Sequence, residues 1–64
     1  MIEEVELSEM SIEIRKFLKI SQKKLAIIVG ATQTEISFIE KGFIPPNKNK
    51  IKQIQGLYNN IVRR

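Results

Sequence analysis

The sequence predicts an all-α domain of four to five short helices. Three observations carry that reading. Apolar residues recur at three- and four-residue spacing within separate short stretches. Hydroxyl or amide side chains that can cap a helix precede those stretches, and glycine or proline follows several of them. No run of β-branched residues alternates with polar ones between turn signals.

The chain has 64 residues, enough for one domain. Such a chain buries only about 60% of its unfolded surface. Its 42% apolar content suits a small core, and three Phe and one Tyr make that core mostly aliphatic. Cysteine, histidine and aspartate are absent. This excludes disulfides, thiolate nucleophiles, imidazole ligands and His-based catalytic triads, so no metal and no cofactor is expected. The longest apolar run, Leu25 to Val29, is too short to span a membrane. The opening Met1-Ile2-Glu3-Glu4 lacks the features of a signal peptide, which points to a cytoplasmic protein.

Charge is unevenly placed. Glu3, Glu4, Glu6, Glu9 and Glu13 leave residues 1–13 purely acidic. Residues 14–64 hold all 11 Lys/Arg and the other two glutamates, a balance of +9. A basic body suits either a polyanion, nucleic acid before an acidic membrane surface, or solubility alone.

Residues 1–9 read as an acidic arm of a single domain. Ser8 or Ser11 can cap a first helix, with Leu7, Met10, Ile14, Phe17 and Leu18 as its stripe and its end near Lys19. Ser21 caps a second helix built on Leu25, Ala26, Ile28 and Val29, and Gly30 closes it. Thr32-Gln33-Thr34-Glu35 fits a capping box, so a third helix starts there, turns Ile36 and Ile39 inward and stops before Gly42. Pro45-Pro46 breaks the chain. Asn47 then caps a fourth helix over 47–58, with Ile51, Ile54, Leu57 and Tyr58 on one side. Residues 59–64 form a tail or one last turn.

Only Gly30 and Ala31 separate the second helix from the Thr32 cap, the spacing of a helix-turn-helix. The stretch from Ser21 to Gly42 resembles the lambda-repressor/Cro-like helix-turn-helix family. The matching positions are Ser21, Gln22, Leu25, Ala26, Val29, Gly30, Thr32, Ile36, Ser37, Ile39, Glu40 and Gly42. Pro46, Ile51, Ile54 and Tyr58 also fall where the family places proline and core residues, so the likeness covers about residues 10–58. It implies that the third helix is a recognition helix and that Arg15 pairs with Glu40. It also implies a phage, mobile-element or small bacterial repressor, nucleoid-associated, that acts as a homodimer on double-stranded DNA.

On a helical wheel Thr34, Ser37, Phe38 and Lys41 point away from Ile36 and Ile39, with Gln33 and Glu35 on the flanks. Gln33, Thr34, Ser37 and Phe38 are therefore the candidate base readers. A Gln amide can bond adenine N6 and N7 together, and Thr or Phe can meet a thymine methyl. Phe38, where the family has a polar residue, either faces the groove or folds onto the core beside Phe43. Glu35 either accepts from cytosine N4 or turns back to the Thr32 amide. Candidate phosphate contacts are Gln22, at a helix N-terminus, and Lys41, Asn47, Lys48 and Lys50.

Ile27 and Ile28 depart from the family by being apolar on the second helix. Either the arm, through Ile2, Val5 and Leu7, or a protein partner covers them. Tyr58, Ile61 and Val62 are the remaining apolar residues for a dimer surface. Two functions stay open: a sequence-specific DNA-binding repressor, or a protein-interaction module on the same fold, such as an antirepressor or antitoxin-like subunit. An enzyme is not expected, because Glu35 and Glu40 are the body's only carboxylates and no nucleophile–base pair can be assembled.

Overall fold

The computed structural model describes residues 6–43 and 48–62. It is all-helical, with no strand among these residues, and compatible with a small helix-turn-helix fold. Four α-helices follow one another: α1 Leu7–Leu18, α2 Gln22–Val29, α3 Gln33–Glu40 and α4 Lys48–Leu57. Tyr58–Val62 then continues the chain as one π-helical turn. The Asn47 cap, the Pro45-Pro46 break, and Ile2 and Val5 of the arm lie outside the described residues.

Capping chemistry sets the boundaries of α2 and α3 as the sequence indicates. The Ser21 side chain accepts from the Lys24 N–H. Gly30, at φ 74°, closes α2 in the left-handed conformation that a residue without Cβ adopts easily. Thr32 accepts from the Glu35 N–H while the Glu35 carboxylate accepts from the Thr32 N–H at 2.8 Å, a complete capping box. Lys19, at φ 58°, closes α1 and its N–H bonds back to the Arg15 carbonyl.

The start of α1 corrects the sequence reading. Its N-cap is Glu6, without a side-chain cap, so neither Ser8 nor Ser11 has that role. Residues 7–9 belong to the helix rather than to an arm. Starting at Leu7 puts Ser11 inside the helix, on the face shared with Leu7, Met10 and Ile14, and Ser11 is buried there. Phe17 and Leu18, in the last turn, are exposed instead.

Ile14, Leu25, Ala26, Val29, Ile36, Ile39, Ile54 and Tyr58 form a single core to which every helix contributes. Leu7, Met10, Ile20, Ala31, Leu57, Ile61 and Val62 pack around it. Burying one of the larger aliphatic side chains contributes about 1.5–3 kcal/mol, so this cluster supplies most of the driving force. Tyr58, Ile61 and Val62 are therefore spent on the domain's own core. The π turn packs them against α1 and α4, which leaves Tyr58 buried and Ile61 and Val62 half-buried. No described helix is long and apolar enough to cross a membrane.

Candidate nucleic-acid interface

The site is organised by α3. Ile36 and Ile39 anchor one side of it in the core. Its last residue, Glu40, is held from two other helices. Ser11 Oγ donates to Glu40 Oε2 at 2.7 Å. Arg15 Nε donates to the same oxygen at 2.8 Å, and Arg15 Nη2 donates to Oε1 at 2.7 Å. Gln22 Nε2 completes the set with a bond to Oε1 at 3.1 Å. The Arg15 fork is bidentate, the strongest geometry open to such a pair.

Only 8% of the Glu40 side chain is exposed. Burial pushes its carboxyl up, but the bonds from Arg15, Ser11 and Gln22, with the Arg15 charge, outweigh that effect and hold it below the ordinary carboxylate range. The bond to Glu40 in turn raises the Arg15 guanidinium against the opposing cost of its own burial. Glu40 is thus an ionised acid that joins α1, α2 and α3. The Arg15–Glu40 pair is present as the resemblance implies. Ser11 was missed. Its signal in the sequence was a lone polar residue between Leu7, Met10 and Ile14 on the same stripe.

Opposite the core, Gln33, Thr34, Phe38 and Lys41 are exposed and Ser37 is half-buried. The four candidate base readers therefore lie together on the outward side of α3. The candidate phosphate residues divide. Lys41 and Lys48 are exposed. Gln22 is half-buried and donates one amide hydrogen to Glu40, which ties it into the internal network. The Lys50 ammonium is paired with Glu35 Oε2, which joins the N-terminal turns of α4 and α3. Asn47 lies outside the described residues.

Glu35 therefore has two structural partners. Lys50 first, and the Thr32 backbone second, hold its carboxyl below the usual range. This resolves its two readings in favour of the capping box, since both oxygens accept from within the domain.

Phe38 takes neither of its expected places fully. Its ring stands edge-on to Phe43, with centroids 5.9 Å apart and planes at 76°. Yet 50% of Phe38 remains exposed, and Phe43 is exposed as well. Ile27 is 67% exposed and Ile28 is exposed beside it. Leu7 does not cover them. It lies with Glu6 and Ser8 along a cleft against Ile39, Gly42 and Phe43, at the far end of α3.

Comparison of the chain with protein-family models, with curated proteins and with solved structures finds no match.

Proposed function

We propose that this domain binds double-stranded DNA sequence-specifically, with α3 in the major groove, and acts as a transcriptional repressor by occupying an operator as a homodimer. One observation carries the reading. Gln33, Thr34 and Ser37 lie together on the outward side of a helix whose opposite side is fixed by Ile36, Ile39 and the Glu40 network. A rigid helix with uncovered amide and hydroxyl groups in its first turns suits readout of base edges. The basic body supplies the accompanying attraction to phosphate, with Lys41 and Lys48 as the available flanking cations. Lys50 would have to leave Glu35 to join them.

Selection of bound sites from a random duplex pool tests the proposal. A palindromic consensus is expected, with half-sites about 34 Å apart or a multiple of it. Gln33→Ala should then cost about 1–3 kcal/mol on the selected site and almost nothing on random duplex. Equal losses on every sequence would reassign Gln33 to phosphate.

A second reading rests on the exposure of Ile27 and Ile28. An apolar pair left open on α2 suits a protein-interaction module of the antirepressor or antitoxin-like kind. A pool that yields no enriched site would favour this reading.

A further inference from the structure

The exposed aromatic pair at the end of α3 has no counterpart among the polar base readers. Its geometry follows from how the helix stops. Gly42, at φ 104°, turns the chain in a conformation that favours glycine. The Phe43 N–H then bonds the Phe38 carbonyl at 3.0 Å and the Gly42 N–H bonds the Ile39 carbonyl at 3.0 Å. These two bonds are the pattern of a Schellman cap, in which the residue after the glycine commonly touches the one five before it. The cap explains why the rings meet. It does not explain why half of Phe38 is left in water, where an apolar ring gains nothing.

We propose that Phe38, braced by Phe43, is an apolar reader of the C5-methyl group of a pyrimidine in the major groove. The proposal rests on the DNA-binding reading and names a chemical feature that α3 would recognise. At about 100° per residue, Phe38 lies about 40° around the helix from Thr34, one turn further along. A neutral phenyl has no donor to offer a base edge. The apolar feature the major groove presents is the methyl on C5, which thymine carries and a methylated cytosine shares. The edge-to-face contact holds the ring at low conformational cost, so little ordering is required on binding. The exposed Lys41, on the same outward side, offers one cation to a phosphate near that end of the helix. Four residues of helix rise about 6 Å and base pairs about 3.4 Å. The methyl should therefore lie about two base pairs from the base read by Thr34.

The test alters the DNA and leaves the protein intact. In the site selected from the random pool, each thymine is replaced in turn by deoxyuridine, which removes only the methyl. Each cytosine is replaced in turn by 5-methylcytosine, which adds one. One position per half-site should respond, by about fourfold in affinity per methyl. A response in the uracil arm assigns thymine, and one in the methylcytosine arm assigns methylated cytosine. Phe38→Gln should abolish the discrimination while keeping the parent's melting transition. If that variant does not fold, Thr34→Ser decides, since it removes the other methyl-contacting group on α3. The response should persist in it, and its loss would assign the methyl to Thr34 and overturn the Phe38 reader. Specific binding that is indifferent to every such replacement overturns the methyl reader and leaves the DNA-binding reading standing. Absence of any sequence preference overturns both.

Discussion

Glu35 and Glu40 sit five residues apart on α3, and each meets one cation, but their settings differ. Glu35 lies in the first turn, with 30% of its side chain exposed, and holds Lys50 and the Thr32 N–H. Glu40 ends the helix almost out of solvent and accepts four hydrogen bonds from Ser11, Arg15 and Gln22. The two contacts satisfy the same definition of an ion pair. Their energetic roles should diverge, although the two cations are similarly exposed. The Glu40 carboxylate is nearly out of water and carries four hydrogen bonds, whereas water competes for the Glu35 carboxylate. An exposed pair contributes about 0–1 kcal/mol. Removing one member of a buried pair costs about 3–5 kcal/mol, an upper bound here because Arg15 keeps 27% of its side chain in water.

Glu40→Ala offers the largest test of that contrast. It leaves the Arg15 guanidinium, the Ser11 hydroxyl and the Gln22 amide without their common acceptor. We expect a loss of up to about 3–5 kcal/mol, close to the whole stability of a small domain. Urea unfolding followed by circular dichroism should show little cooperative transition at 25 °C. A midpoint like the parent's would break the comparison.

Acid probes both carboxylates without mutation. Each is held below its ordinary value, so each binds a proton less readily folded than unfolded. Their contribution is present above the unfolded value, about pH 4.3, and is lost as pH falls through the folded one. The melting temperature should drop on the acid side of that window. Glu35→Gln should keep most of the drop, since the buried Glu40 carries it. Disappearance of the drop in Glu35→Gln would place the acid sensitivity on the exposed carboxylate instead.

Ser11→Ala removes one donor and keeps a small side chain in the core. The expected loss is about 1–2 kcal/mol, since the acceptor is charged and keeps its other donors. Chemical denaturation measures it directly, and no change would mean that Arg15 and Gln22 satisfy Glu40 alone.

The smallest effect belongs to Lys50→Ala. Stability should fall by less than about 1 kcal/mol, and the difference should shrink further in high salt. Melting curves at low and high salt check both statements. A loss of about 3 kcal/mol would make the two pairs equivalent and remove the contrast.

Much of the fold was legible in the sequence because its signals are local. The Ser21 and Thr32 caps, the Gly30 turn and the Gly42 stop each act within about one turn of chain. The inward placement of Ile36, Ile39 and Ile54 follows from helical periodicity and the need to bury apolar surface. The outward group of Gln33, Thr34, Ser37 and Phe38 follows from the same wheel. The α1 start was not legible, because Ser8 and Ser11 are both plausible caps and only packing excludes them. Nor was the return of Ile61 and Val62 to the core, since Asn59 and Asn60 leave a tail and a further helical turn equally open until packing decides.

The sequence by itself determined where α2 and α3 begin and end, the inward placement of Leu25, Val29, Ile36, Ile39 and Ile54, and which side of α3 is polar. Caps and periodic burial need only neighbours along the chain. Tertiary structure decided how the polar side chains are used. Ser11 and Glu40 are 29 residues apart, Gln22 and Glu40 18, and Glu35 and Lys50 15. Each pair is formed only when separate helices dock. A serine between apolar residues, a glutamine at a helix N-terminus and a lysine in a basic stretch all look solvated along the chain. Whether each finds water, a phosphate or an internal carboxylate depends on what the packed core brings within hydrogen-bonding distance. In this domain the core brings Glu40 to Ser11 and Gln22, and Glu35 to Lys50.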